Sequence, residues 1–379
     1  MTSLYTFRGG KRLVMVLGLM TCLFLFAFNQ ANTNTNTKYN TSNTMCHNTR
    51  SLSHSPQKLS WRQRLGYLTQ PYYRDLNALD ATSKAIQNQE RILVLTPLFQ
   101  NNAEEHLSRY FELLDQSTYP NHLISIGLLV SSSTSSTQAQ HDDMITTLTT
   151  LVHRLQRRWF HAFHEINIYQ RDFHFDFDID HHSGKGDTLH HSSSSFKLQP
   201  YRRSIMARAR NYLLSAALED DHSWVAWMDV DVIDYPPTIF EDLMRHDVDV
   251  IVPNCLLPTK DHSFWAYDRN NWQETDGSMR FQMSVGEDFV MLEGYKELAT
   301  GRTLLVDMPT HLGHNHLVPL DGVGTSFTLV KAIVHREGAN FPSFAFQHQV
   351  DTEGFAKIAK AMGFGIFGIP SYFIYHAHP

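Results

Sequence analysis

The sequence predicts an α/β domain built on a parallel sheet with helices on its faces, held behind an apolar anchor and a polar stem. Three observations carry this. From Arg91 onward, apolar runs of strand length alternate with stretches whose apolar residues recur at helical spacing. Residues 13–28 form a run of sixteen without a charge, and the tract ANTNTNTKYNTSNTMCHNTRSLSHS in the stem that follows, residues 29–90, is too poor in apolar residues to pack. The chain has 379 residues, so removing that start leaves roughly 290 for one domain, a size a single α/β fold fills.

In chain order, residues 1–12 are a short tail carrying Arg8, Lys11 and Arg12, and 13–28 is the apolar run LVMVLGLMTCLFLFAF. A signal anchor and a cleaved signal peptide both fit such a run. No small-residue cleavage site follows, only Phe28-Asn29-Gln30, which favours an uncleaved anchor. The preceding basic residues place the amino terminus in the cytosol and the remainder in the lumen. The stem holds Asn40-Thr41-Ser42, the one N-glycosylation sequon in the chain. Cys22, Cys46 and Cys255 form no disulfide framework; Cys46 is either a free thiol or a link between chains.

In the domain proper, RILVL from Arg91 reads as a buried first strand, followed by a helix with Leu107, Tyr110, Phe111 and Leu114 on one face. LISIGLLV (123–130) is a second strand, and Leu148, Leu151, Val152, Leu155 and Trp159 mark the next helix. EINIYQRDF, then WVAWMDVD after the helix ARARNYLLSAAL, and then VDVIVPN supply three further strands. TEGFAKIAKAM is a helix stopped by Gly363, and GIFGI and YFIYH close the chain as short strands. No dinucleotide fingerprint, phosphate-binding loop or nucleophile elbow is present; Gly322-Val323-Gly324 alone is too weak a signal.

The net charge of −6 is an average of unlike parts. Residues 1–90 hold 10 basic and 3 acidic residues, and the rest holds 22 basic against 35 acidic. Nucleic-acid affinity rests on basic groups neutralising phosphates, so the acidic domain excludes that partner. An anionic ligand would need a recruited cation. A pair of aspartates two apart occurs four times: 176 and 178, 178 and 180, 229 and 231, 247 and 249. Only Asp229 and Asp231 follow a hydrophobic strand, at the carboxyl end where open α/β sheets bind ligands. Residues i and i+2 of an extended segment face one way, so the two carboxylates suit a hard divalent cation shared with substrate phosphates. The alternative is a capping aspartate beside a solvated one; Asp234 fits a capping role.

YRRSIMARARNYLL gathers Arg202, Arg203, Arg208, Arg210 and Asn211, groups that fit phosphate oxygens or pair with local acids. FWAYDRNNWQET (264–275) reads as a loop whose aromatics stack on sugar rings or anchor the loop itself. The chain has 23 His, and seven fall between 161 and 200. Without i, i+4 pairing or an HExxH frame, and ending in a serine run, that tract reads as a surface insertion over 181–195 rather than a zinc site. His376, at the end of YFIYH, sits where a strand can hold it rigidly.

Ten segments in order then resemble the fungal Golgi mannosyltransferases of glycosyltransferase family 62, whose members are subunits of mannan polymerase complexes. They are ILVLTPL, YFELL, RDFHFD, ARARNYLL, DVDV, VDVIVPN, EGYKELATGRT, LDGVG, HREGANFPSFAF and TEGFAKIAKAMGF, covering about Arg91 to His376. The resemblance implies a GT-A (Rossmann-like) glycosyltransferase domain over 91–379 in a type II Golgi membrane protein. It implies transfer of mannose from GDP-mannose, with Mn2+ or Mg2+ as cofactor and with retention, onto an α-1,6-linked backbone on N-glycans. It further implies hetero-oligomers with related subunits. Asp229 and Asp231 match the metal-and-donor motif, and His376 matches a histidine completing the metal site. Thr96, Pro97 and Leu98 match the loop that cradles the nucleotide, Arg208 and Asn211 lie near the phosphates, and Glu353 and Asp321 are the acids near the transferred sugar. The sequence departs from the family at Phe99-Gln100-Asn101, where Lys-Asp-Ala is usual, and at Gly324-Thr325, where Gly-Gly is common. The expected activity is that of a metal-dependent mannosyltransferase; the alternative is a non-catalytic assembly subunit of the same complex.

Overall fold

The computed structural model describes residues 80–98, 103–131, 138–158, 160–173, 196–259 and 265–378. The expected anchor, the stem up to residue 79, Cys22 and Cys46, the Phe99-Gln100-Asn101 loop and the 181–195 insertion lie outside them. Residues 80–90, expected to be the end of the stem, are described, and Ala85 and Glu90 there are buried. Among the described residues no helix is long and apolar enough to cross a membrane.

The first strand, β1 (Arg91–Leu98), lies between β2 (Ile124–Val130) and β4 (His222–Met228), parallel to both. β3 (Glu165–Gln170) extends the sheet beyond β2, again in parallel. The largely apolar composition of β1, β2 and β4 follows from burial on both faces, whereas the edge strand β3 (EINIYQ) is more polar and only partly buried. Alternate side chains of β1 enter different cores. Ile92 and Val94 pack with Leu107, Tyr110, Phe111 and Leu114 of α1 (Ala103–Asp115) and with Leu148, Val152 and Leu155 of α2 (Gln138–Gln156). Leu93 and Leu95 pack with Ala207, Leu213 and Leu214 of α3 (Gln199–Ala217).

The other half of the sheet departs from the expected parallel arrangement. After β4 come β5 (Val232–Asp234), α4 (Ile239–Met244), β6 (Val250–Leu257), β7 (Trp265–Ala266), β8 (Trp272–Gln273), α5 (Asp276–Ser284), β9 (Thr303–Leu304) and β10 (Val318–Pro319). Then follow β11 (Phe327–Lys331), α6 (Ala332–Arg336), α7 (Asp351–Ala361) and β12 (Ile366–His376). The main path is β10-β12-β6-β11-β4-β1-β2-β3, and β11 runs antiparallel between β4 and β6. FTLVK enters from the ligand-binding edge, because the Asp229 amide donates to Ser326 O just before β11 begins. The start of β11 therefore meets the ends of β4, β6 and β12 at one edge. GIFGI and YFIYH are one strand, interrupted in register between Ile369 and Phe373, and both halves pair with β6. Gly363, at φ +96°, ends the turn after α7 as expected.

Beneath the site, Trp227, His335, Phe341 and Phe355 pack ring against ring. The Trp227 indole N–H donates to His335 Nε2 at 3.1 Å, and His335 Nδ1 lies 2.8 Å from Ala339 O, so this contact needs the neutral imidazole. Burial lowers its pKa to about 4. The unfolded chain takes up that proton below about pH 6.5 and the folded one does not. The contribution is thus complete above that pH and shrinks as pH falls towards 4, by up to about 3 kcal/mol. In urea titrations the wild type should lose more stability between pH 7 and 4.5 than His335→Gln; equal losses would contradict this assignment.

Candidate active site

β4 ends at Met228, and the next three residues turn outward from the sheet. Val230 is 6% exposed and packs in the core, and the turn closed by the Val232 amide on Asp229 O at 3.4 Å brings the Asp229 and Asp231 carboxylates together. Pairing of β5 with β12 sets His376 opposite Val232, and the Ala377 amide donates to Asp231 O at 2.8 Å. A residue near the end of the chain is thereby fixed beside a motif almost 150 positions earlier.

The ligand atoms of Asp229, Asp231 and His376 lie within 4.8 Å of one another. His376 is 1% exposed. Its Nδ1 lies 2.7 Å from Ala377 O, which assigns the proton to Nδ1 in the neutral ring and leaves Nε2 with a lone pair. Nε2 is 2.7 Å from Asp231 Oδ1, yet it is buried without a hydrogen-bond partner. The Tyr267 ring lies flat on this imidazole. Burial and then the neighbouring Asp231 raise the Asp229 pKa to about 7, partly offset by Arg210 and His376. For His376 burial acts downward, but the Asp231 carboxylate outweighs it and raises the pKa. Two crowded carboxylates and an imidazole nitrogen turned towards one of them fit a divalent cation with mixed oxygen and nitrogen ligands, such as Mn2+ or Mg2+.

A second group of charges lies alongside. Arg210 of α3 is 3% exposed; it pairs with Asp351 and donates to Thr325 Oγ1 at 2.9 Å. Thr325 stands where the resembled family commonly has glycine, and here its hydroxyl orients that guanidinium. Asp268 accepts from the Asn270 amide at 3.1 Å and from Ser326, and burial raises its pKa. A Cβ at Gly324 would fall 1.9 Å from Asp268 Oδ2, so this turn excludes any side chain there. Glu353, in the first turn of α7, is wholly buried. It accepts from Trp272 Nε1 at 2.7 Å, pairs with Arg203 and has Arg302 Nη1 at 3.6 Å. The Arg302 guanidinium in turn lies 3.5 Å over the Trp272 ring.

The remaining sequence-predicted residues sit as follows. Thr96 is fully buried; its hydroxyl is 2.8 Å from Tyr110 OH and donates to Met228 O at 2.7 Å, bracing the strand end before Asp229. Pro97 is half-buried, and Leu98 packs in the core. Arg208 is exposed. Asn211 clamps the Phe341 backbone, donating to its carbonyl at 2.7 Å and accepting from its amide at 3.0 Å. Asp321 accepts from the Glu274 amide at 2.8 Å and pairs with Lys360; burial would raise its pKa, but Lys360 and that amide hold it below the ordinary range.

The structure thus brings Asp229, Asp231 and His376 together and commits Asn211 and Asp321 to other contacts. Sequence reasoning did not single out Arg203 and Arg210 among the five α3 groups, and it missed Tyr267 and Asp268. A signal for the arginines exists: 203, 207, 210 and 214 form one helical stripe with buried Ala207 and Leu214. Tyr267 and Asp268 belong to the segment read as a loop, where nothing local distinguishes a site residue from an anchor. Trp272 is an anchor, fully buried, whereas Trp265 is 63% exposed.

The family model described as Anp1 matches residues 71–345. The chain is 40% identical over 298 residues to the mannan polymerase II complex anp1 subunit of Schizosaccharomyces pombe, covering 76% of this chain and 64% of that protein. It is 38% identical over 312 residues to the mannan polymerase II complex ANP1 subunit of Saccharomyces cerevisiae, covering 81% and 59%. It is 34% identical over 308 residues to the mannan polymerase complex subunit MNN9 of Candida albicans, covering 80% and 78%. The chain therefore spans about three-fifths of the length of the two ANP1 relatives. Among solved structures, a mannosyltransferase of Pyrobaculum calidifontis, in complex with GDP-Man and Mn2+, superposes with a TM-score of 0.38 at 13% identity. That match covers 84% of this chain and 63% of that one.

Proposed function

Because the chain belongs to the Anp1 family, we propose that it is a metal-dependent, GT-A-type mannosyltransferase acting as a subunit of a mannan polymerase complex. In this reading it transfers mannose from GDP-mannose to an α-1,6-linked backbone on N-glycans, with retention. Residues 13–28, behind Arg8, Lys11 and Arg12, support a single-pass Golgi anchor with residues 91–379 in the lumen.

The observation that carries the proposal is the convergence of Asp229, Asp231 and His376 at the ligand-binding edge of the sheet. A Mn2+ or Mg2+ held by these three would supply Lewis-acid stabilisation of the departing diphosphate, worth several kcal/mol in general. The chain's own groups do the remainder. Arg210, fixed by Asp351 and Thr325, places a buried positive charge behind the aspartates. Thr96 braces the strand end that presents them, and Gly324 leaves the space that Asp268 occupies. Glu353 ties α3 and α7 to the Trp272 segment beside the site. In the transfer, the sugar C1 to phosphate oxygen bond breaks as the acceptor hydroxyl bonds to C1 on the same face. The acceptor's proton passes to the leaving phosphate.

GDP-mannose turnover by the full chain, purified with its partner subunits, tests this. Turnover should vanish on chelation and return with Mn2+. An assembled complex whose turnover ignores chelation would contradict the metal-dependent reading. One that keeps its turnover when Asp229 is replaced in this chain alone would point to the assembly role.

A further inference from the structure

The imidazole of His376 needs more than its backbone to hold its direction. It lies at the end of β12, where the register with β5 is irregular between Tyr375 and His376. The contact of Nδ1 with Ala377 O settles which nitrogen carries the proton, but it acts in the ring plane and comes from the adjacent residue. What opposes rotation out of that plane is Tyr267: the two ring centroids are 3.4 Å apart, and the planes are inclined by 11°.

Tyr267 is itself well supported. It follows β7, which pairs antiparallel with β6, and its amide donates to Cys255 O at 3.0 Å. β6 in turn lies parallel to β12, with Leu256 opposite Tyr375. The tyrosine is thus anchored to the strand next to the one that carries the histidine, and the stack spans two rigid elements. Burial, and then Asp229 and Asp231, push the Tyr267 hydroxyl above its ordinary range, so it stays protonated beside the carboxylates.

We propose that Tyr267 is the positioning residue of the metal site, whose ring fixes the plane of the His376 imidazole so that Nε2 stays aimed at the ion held by Asp229 and Asp231. This rests on the metal reading above and adds a residue to it. Groups that orient a metal-bound histidine without touching the ion typically contribute ten- to a hundredfold in metal affinity. Tyr267 does so through a ring face instead of a hydrogen bond.

The test is Mn2+ binding to the full chain by calorimetry, without nucleotide. Tyr267→Phe keeps the stack and should bind within about threefold of the wild type, whereas Tyr267→Leu should bind about ten- to a hundredfold more weakly. In a His376→Ala background, Tyr267→Leu should cost nothing further, because both changes remove one interaction. Urea unfolding without metal checks that each variant is folded, and Tyr267→Met carries the comparison if the leucine variant is not. Unchanged affinity in folded Tyr267→Leu would overturn the proposal. So would an equal loss in Tyr267→Phe, which would assign the effect to the hydroxyl, or an undiminished loss in the His376→Ala background. A wild type that binds no Mn2+ would overturn the metal reading itself, and this proposal with it.

Discussion

Asp229→Asn should lower GDP-mannose turnover by about a thousandfold while leaving the chain folded and assembled. Asparagine matches aspartate in size, so the turn after β4 and its amide contact with Ser326 O survive. What is lost is one of two anionic ligands, and charge stabilisation of a leaving group is worth several kcal/mol in such sites. The same change should make the metal-free protein as stable as the wild type or more so at pH 7. Burial and Asp231 hold the folded-state pKa of Asp229 at about 7, well above its unfolded value. The wild type therefore loses stability as pH rises through the interval between those two values, because the unfolded state ionises first. Asparagine removes that cost. A variant that loses turnover by unfolding, with a lowered urea midpoint, would contradict this account, as would one that turns over normally.

Glu353→Gln should act chiefly on stability. Glu353 is wholly buried between two guanidinium groups, Arg203 and Arg302, and the Trp272 indole N–H. Arg302 is itself fully enclosed, with Glu274 at 3.6 Å and Glu293 at 3.9 Å as its other carboxylates. Removing the shared acid leaves Arg203 without the carboxylate it pairs with, while Arg302 keeps Glu274 and Glu293; breaking a buried pair in this way typically costs about 3–5 kcal/mol. Pairing it with Arg203→Gln should recover part of that loss, because the two residues share one interaction; the coupling is expected at about 1–3 kcal/mol. Equilibrium unfolding of the single and double variants measures both quantities. If Glu353→Gln stays within about 1 kcal/mol of the wild type yet cannot transfer mannose, the carboxylate acts on the reacting sugar and not through the fold.

How far the sequence led depended on the distance over which information had to travel. β1, β2 and β4 were legible because burial on both faces writes an unbroken apolar run, and α1 because Leu107, Tyr110, Phe111 and Leu114 repeat at helical spacing. The aspartate pair that matters was separable from three others by its place after WVAWM, a local fact. β11 was not legible as an antiparallel partner, since FTLVK has the same composition whichever way it runs. Nor were the buried arginines. Arg203 meets Glu353 across 150 positions and Arg210 meets Asp351 across 141, and before folding nothing marks an arginine as one that will be enclosed. The stack of Tyr267 on His376 is likewise a product of β6, β7 and β12 coming together, and neither residue's neighbours in the chain predict it.

In the proposed function, one cation is held by groups from the end of β4 and the end of β12. Pulsed electron paramagnetic resonance of Mn2+ added to the full chain tests it directly, because a coordinated imidazole nitrogen modulates the signal. One tightly bound Mn2+ per chain with coupling to a single histidine nitrogen, lost in His376→Ala, is the predicted result. A bound Mn2+ without nitrogen coupling, or coupling that persists in His376→Ala, would contradict it.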